Sequence, residues 1–365
     1  MSRVRPSPTL ISVLLGIALV ALAPCVVTNS YALVPLTFIA IYTILVIGLN
    51  MLMGYAGQVS LGHAAFFAIG AYTSAILSTQ YGCSPWAAMP AGMALAGIVA
   101  LLVGMPCLRL RGHYLAMATL GFGMIVYILL MEWPDSPPLL LATLGRLLHL
   151  PASTPWPFTG GASGLPDIPA LAIGSFVFHT NLQKFYLTWA FAILALLLCA
   201  NIVNSRVGRA LRAVHGSEAA AATLGVNIAA YKIHVFVLSA ILAALAGSLY
   251  AHAVGFISPP TFNFIRSVDF VVMVVIGGMA SIWGAVLGAG TIVLLGNWLQ
   301  DVGAKFPRLA EFDLIIHSAI LILVMIFMPA GIVCTARDAV LRRLRGRATA
   351  PAAAAPAHSE EVATP

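Results

Sequence analysis

Apolar positions in this chain gather into long runs separated by short polar ones, each run close to the roughly 20 residues that a helix needs to cross a bilayer. About ten runs can be drawn: Leu10 to Val27, Leu33 to Met53, Ser60 to Thr79, Trp86 to Leu108, Tyr114 to Met131, Phe185 to Val203, Tyr231 to Val254, Val268 to Trp283, Ala285 to Leu299 and Leu314 to Val333. Several are short for a full span. The pattern predicts an all-α polytopic membrane protein with about 8 to 10 transmembrane helices, including short or re-entrant segments.

Within the third run, Ser60 is placed to cap a helix beginning at Leu61, after a loop Gly54-Tyr55-Ala56-Gly57. Ala64, Ala68, Ala71 and Ala75 recur at helical spacing, while Phe66, Ile69 and Ile76 point the other way. Lipid removes the hydrophobic gain of helix pairing, so close association relies on small faces such as this alanine stripe. The run GGMASIWGAVLGAG repeats the device with Ala280, Gly284 and Gly288, and it joins two short segments. Both places fit walls of a translocation path, because irregular backbone at membrane depth survives only where protein buries it or water lines it. They fit ordinary tight packing equally well. His63 and Gln58 are expected at the cytoplasmic mouth of the helix, with the histidine a hydrogen-bonded structural group.

Composition supports the pattern. Of 365 residues 61% are hydrophobic and 8% charged, and the mean hydropathy of +1.00 excludes an ordinary soluble domain. The net charge of +7 would suit nucleic acid if its charges formed a patch, but they do not. Threading the chain with its N-terminus inside puts Arg3, Arg5, Arg109, Arg111, Arg206, Arg209, Arg212 and the cluster Arg337, Arg342, Arg343, Arg345 and Arg347 on one side, which is then cytoplasmic. The acids Glu132, Asp135, Asp167, Asp269, Asp301, Glu311 and Asp313 fall mostly opposite. The charge is a topology signal, and nucleic acid drops out as a partner. Arg3 and Arg5 ahead of an apolar stretch also fit a signal peptide, but Pro24 before Cys25 is a poor cleavage site, and removing the segment would spoil the threading. Five single cysteines give no disulfide or metal spacing and read as buried thiols.

Residues 1–347 therefore read as one membrane unit with an outer loop at 132–184, and the Ala/Pro-rich residues 348–365 as a disordered cytoplasmic tail. A polar insert at 204–227, NSRVGRALRAVHGSEAAAATLGVN, lies on the cytoplasmic side. Its first helical piece presents Arg209 and Arg212 on one face. Ser217 can then cap a short helix from Glu218 to Leu224, with Glu218 at the positive end of its dipole and Gly225 ending it. So short a helix must be held by packing, and its alanine surface suits a groove on a partner.

The middles of the runs hold no Asp, Glu, Lys or Arg, which argues against an ion-coupled secondary transporter. No phosphate loop occurs, so nucleotide hydrolysis would belong to another subunit. Neither His-Glu-x-x-His nor Gly-x-Ser-x-Gly is present to suggest an enzyme. No catalytic residue and no metal site are expected.

Five stretches in order, GLNMLMGYAGQVSLGHAAFFAIGAYTSAIL, RLRGHYLAMATLGFG, TGGASGLPDIP, VGRALRAVHGSEAAAATLGVN and GGMASIWGAVLGAG, resemble the LivM-type permeases, the membrane subunits of branched-chain amino acid ABC importers. The resemblance implies an inner-membrane permease that pairs with a second homologous permease subunit, docks two cytoplasmic ATPase subunits carrying ATP and Mg, and receives substrate from a periplasmic binding protein. It binds no cofactor itself. The helix at Glu218, Ala219 and Ala220 looks like the family's coupling element, with Gly208, Arg209, Arg212, Leu224 and Gly225 around it. Gln58, Ser60, His63, Phe66, Phe67, Thr119, Gly121, Gly277 and Gly278 fall in segments that would flank the path. Met124 departs from relatives that carry an acid there, and Cys334 from those with a closing glycine. Related permeases carry urea or short amides, so those substrates stay open beside branched-chain and other apolar amino acids.

Overall fold

The computed structural model describes residues 30–110, 112–132, 159–173 and 176–306, with positions 319 and 322. The first apolar run, the last one apart from positions 319 and 322, residues 133–158 of the outer loop, the arginine cluster near the C-terminus and the tail lie outside the described residues.

Helix α1 (Leu33–Asn50) continues through a π turn at Met51–Tyr55. It is followed by α2 (His63–Thr79), α3 (Pro85–Cys107), α4 (His113–Met131), α5 (Asn181–Asn204), α6 (Arg206–Gly216), α7 (Glu218–Thr223), α8 (Ile228–Val254), α9 (Phe264–Gly277) and α10 (Ile282–Lys305). Strands β1 (Ala172–Ile173) and β2 (Phe176–Val177) pair antiparallel in the segment before α5 and do not alter the all-α class.

Among the described residues six helices, α1 with its π turn, α3, α4, α5, α8 and α10, are long and apolar enough to cross a membrane. The exceptions are informative. With 17 residues α2 is about 25 Å long, and with 14 residues α9 is about 21 Å, against a hydrocarbon core of about 30 Å. The expected run from Val268 to Trp283 is divided differently from the sequence reading. Helix α9 stops at Gly277, and Ser281 caps α10 by accepting from the Gly284 N–H. Gly278 and Ala280 both take positive φ in the break between them, which no continuing helix allows. Ala280 is therefore in a turn and not on the small-residue stripe.

Helix α8 is the hub, packed against α2, α3 and α1. Its Ala240, Ala243, Ala244, Ala246 and Gly247 are buried, so backbones approach to contact distance, as expected where lipid supplies no hydrophobic drive. A Cβ at Gly247 would strike the Phe67 carbonyl, and one at Gly70 would strike the backbone of Ala244. His63 meets Ser239, Gly70 meets Ala244 and Ser74 meets His252, so α2 runs in the same direction as α8. Helix α3 runs the opposite way, with Gly92 against Ser248 and Gly104 against Phe236. This brings Arg109, just past α3, to the end of the bundle that carries Arg206, Arg209 and Arg212, hereafter the basic end. Among the cysteines in the described residues only Cys199 is buried; Cys83 and Cys107 are partly exposed, contrary to the expectation of buried thiols.

Candidate functional site

Two sets of predicted residues form coherent sites. At the basic end, Ser205 and Ser217 cap α6 and α7 by accepting from the Val207 and Ala220 N–H groups. Gly208 is buried where a Cβ would hit the Val203 carbonyl, which fixes the elbow between α5 and α6. Arg209 is exposed. Arg212 folds back to donate to that same Val203 carbonyl at 3.3 Å, so the two arginines are not equivalent. In α7, Ala221 faces inward and Ala219, Ala220 and Ala222 face out. Leu224, just beyond the helix, is 81% exposed. Gly225, at φ +79°, ends the element. Glu218, expected to serve the helix dipole, also forms an ion pair: Lys232 Nζ donates to its Oε1 at 2.6 Å.

The second site lies inside the bundle. Residues 56–62 are irregular, with Gln58, Ser60 and Gly62 buried and Gly57 and Val59 exposed. Ser60 does not cap α2. The helix begins at His63 with no side-chain cap, because the Ser60 hydroxyl pairs with the His63 ring, and the Leu61 N–H is met by Thr119 Oγ1 of α4 at 3.0 Å. Nor does His63 sit at a mouth. It is 1% exposed and hydrogen-bonded to Ser60 at 3.1 Å and to Ser239, near the middle of α8, at 2.8 Å. Ser239 donates its own hydroxyl proton to the Phe236 carbonyl. Imidazole protonated on Nε2 therefore satisfies the set, with Ser60 donating to Nδ1. The Ala64 N–H goes to Ser267 of α9. The first turns of α2 and α9 thus meet through a polar contact.

Gln58 is the exception, since its side chain is buried and neither amide atom has a hydrogen-bond partner among the described residues. The other predicted path residues are packed within this chain. Phe66 contacts Phe122 and Phe236, and Phe67 contacts Tyr42, Tyr250, Phe262 and Phe270. Gly277 abuts Gly284 of α10, and Gly278 ends α9. Gly121 differs: a Cβ there would meet nothing, since it lies on the open side of α4.

Lys232, Ser239 and Ser267 belong to these sites and were not singled out from sequence, nor was Asn50 at the end of α1. Two carried a signal. Lys232 is a lone cation at the foot of an apolar run, and Asn50 a lone amide in another. Among the described residues no group of three His, Cys, Asp or Glu is placed to hold a metal.

The family model described as "Branched-chain amino acid transport system / permease component" matches residues 31–328, most of the chain. The chain belongs to this family. It is a multi-pass membrane protein of the permease class. It is 30% identical over 319 residues to the high-affinity branched-chain amino acid transport system permease protein LivM of Escherichia coli, covering 81% of this chain and 68% of that protein. It is 26% identical over 305 residues to LivH of the same organism, covering 80% and 90%. It is 26% identical over 309 residues to BraD of Pseudomonas aeruginosa, covering 81% and 92%. No solved structure gives a significant match.

Proposed function

We propose that this permease-family chain is the membrane subunit of an ABC importer for branched-chain or other apolar amino acids. Movement would be imposed through α7 by partner ATPases that hold the ATP and Mg. The supporting observation is the shape of the basic end: a capped helix too short to stand alone, anchored inward by Ala221 and the Glu218–Lys232 pair, offers Ala219, Ala220 and Leu224 outward. Such an element fits a groove on a soluble partner better than a plain connection between helices. Arg209 adds exposed charge beside it.

A second permease subunit is part of the reading. The predicted path residues on α2 and α9 are buried in this chain's own packing, whereas α4 exposes Tyr114, Met117, Ile125 and Ile128 and carries Gly121 on its open side. A passage completed between two subunits along α4 accommodates both facts. A periplasmic binding protein would deliver solute at the end opposite the basic one. That arrangement puts the chain in the bacterial inner membrane with its termini cytoplasmic. Midway along the six spanning helices there is no Asp, Glu, Lys or Arg, and in the shorter α9 Arg266 and Asp269 offset each other across 3.6 Å, which suits a zwitterion carried without ion coupling.

The test is Ala220→Trp in the assembled transporter, reconstituted in liposomes with ATP inside and the binding protein outside. Loss of ATPase association and of radiolabelled leucine uptake, with the variant still in the membrane, is the expected result. Unchanged uptake would overturn the docking role. Uptake of urea in place of leucine would move the substrate to short amides. Concentrative uptake by the lone subunit on an ion gradient would replace the importer with a secondary transporter.

A further inference from the structure

Helices α7 and α8 are joined covalently by residues 224–227, an exposed connector in which Gly225 has positive φ. A connector of this kind pivots easily, and the buried Ala221 alone does not fix the angle between so short a helix and α8. Across it stands the ion pair of Glu218, the first residue of α7, with Lys232, in the second turn of α8. The lysine side chain is 10% exposed and the glutamate 37%. A buried cation near the positive end of its own helix is disfavoured by desolvation and by the dipole, so the carboxylate brought over from α7 is what holds it there. Seven residues along α8, on the same face, Ser239 meets His63 at the start of α2.

We infer that the Glu218–Lys232 pair is a strut that makes α7 and α8 one rigid body. Displacement of α7 is then carried along α8 to the Ser239–His63 contact and the irregular segment 56–62. This rests on the reading of α7 as a docking element. Lys232 is a positioning residue: its side chain is largely buried and bound to Glu218, and it acts by keeping α7 from pivoting at Gly225.

The experiment compares Lys232→Met, Glu218→Gln and the exchange Glu218→Lys/Lys232→Glu in the complete transporter, with whichever probe the unaltered protein accumulates, leucine or urea. Three quantities are read: ATPase subunits retained, ATP hydrolysed, and probe taken up per ATP. Lys232→Met keeps its ATPase subunits and hydrolyses ATP but loses about tenfold in uptake per ATP, within the usual range of coupling between sites, and Glu218→Gln loses at least as much. The exchange recovers at least half of that ratio. An unchanged ratio in Lys232→Met, or an exchange no better than the single variants, overturns the strut. The docking reading fails separately, if Ala220→Trp retains both ATPase association and uptake.

Discussion

Asn50 holds the backbone at Ala280 from both sides: its Oδ1 accepts from the Ala280 N–H at 2.9 Å and its Nδ2 donates to the Ser281 carbonyl at 2.6 Å. Tyr55 adds a hydroxyl bond to the Ala280 carbonyl at 2.7 Å. The end of α1 therefore supplies what the break between α9 and α10 cannot supply for itself. Ala280 is exposed and Ser281 half-buried, so each bond is worth its net contribution of about 0.5–1.5 kcal/mol and not a full burial penalty. Asn50→Leu removes two and is expected to cost about 1–3 kcal/mol. Tyr55→Phe removes one and costs about 0.5–1.5 kcal/mol. Thermal unfolding in detergent should rank them in that order, and equal stability would refute the clamp.

Ala280 itself is held at φ +58°, a conformation that costs a residue with a Cβ about 1–2 kcal/mol. Ala280→Gly is therefore expected to raise stability by about 1 kcal/mol, while Ala280→Val lowers it. A melting temperature that falls in the glycine variant would show that the alanine methyl contributes packing worth more than the strain it brings.

These two residues mark where sequence reading stops. The alanines at 64, 68, 71 and 75 were legible because close packing in lipid demands small side chains at helical spacing, and all four are buried. Ser217 and Gly225 were legible because caps and stops act within a turn of themselves. The start of α2 was misread because the Ser60 hydroxyl goes to the His63 ring and the Leu61 N–H is met from another helix, by Thr119. Lys232, Ser239 and Asn50 escaped for the same reason. Their partners Glu218, His63 and Ala280 lie 14, 176 and 230 positions away, and spacing along the chain carries no information about such contacts.

Glycine positions separate packing from mere occurrence. At Gly247 a Cβ would drive into the Phe67 carbonyl, and at Gly288 into the Met273 carbonyl, backbone atoms with no room to yield. At Gly290 it would meet nothing. Gly247→Ala and Gly288→Ala should each cost about 1–3 kcal/mol through forced separation of helices. Gly290→Ala should gain about 0.5–1 kcal/mol from helix propensity. Three equal melting temperatures would contradict the close approaches of α8 with α2 and of α9 with α10.

Gln58 poses the opposite case, a buried amide whose two polar atoms have no partner among the described residues. For stability alone an apolar side chain of the same length is preferable there, since removing an unsatisfied buried amide recovers its desolvation penalty. Gln58→Met is therefore expected to be more stable by about 1–2 kcal/mol. If the amide is held for solute passing the break before α2, the same variant should lose uptake about tenfold, the worth of one hydrogen bond of about 1.4 kcal/mol. Binding-protein affinity and ATPase association should stay unchanged. Higher stability with lower uptake would separate the amide's function from the fold. Full uptake in a stabilised variant would remove Gln58 from the path and leave it a packing residue with an unmet polar group.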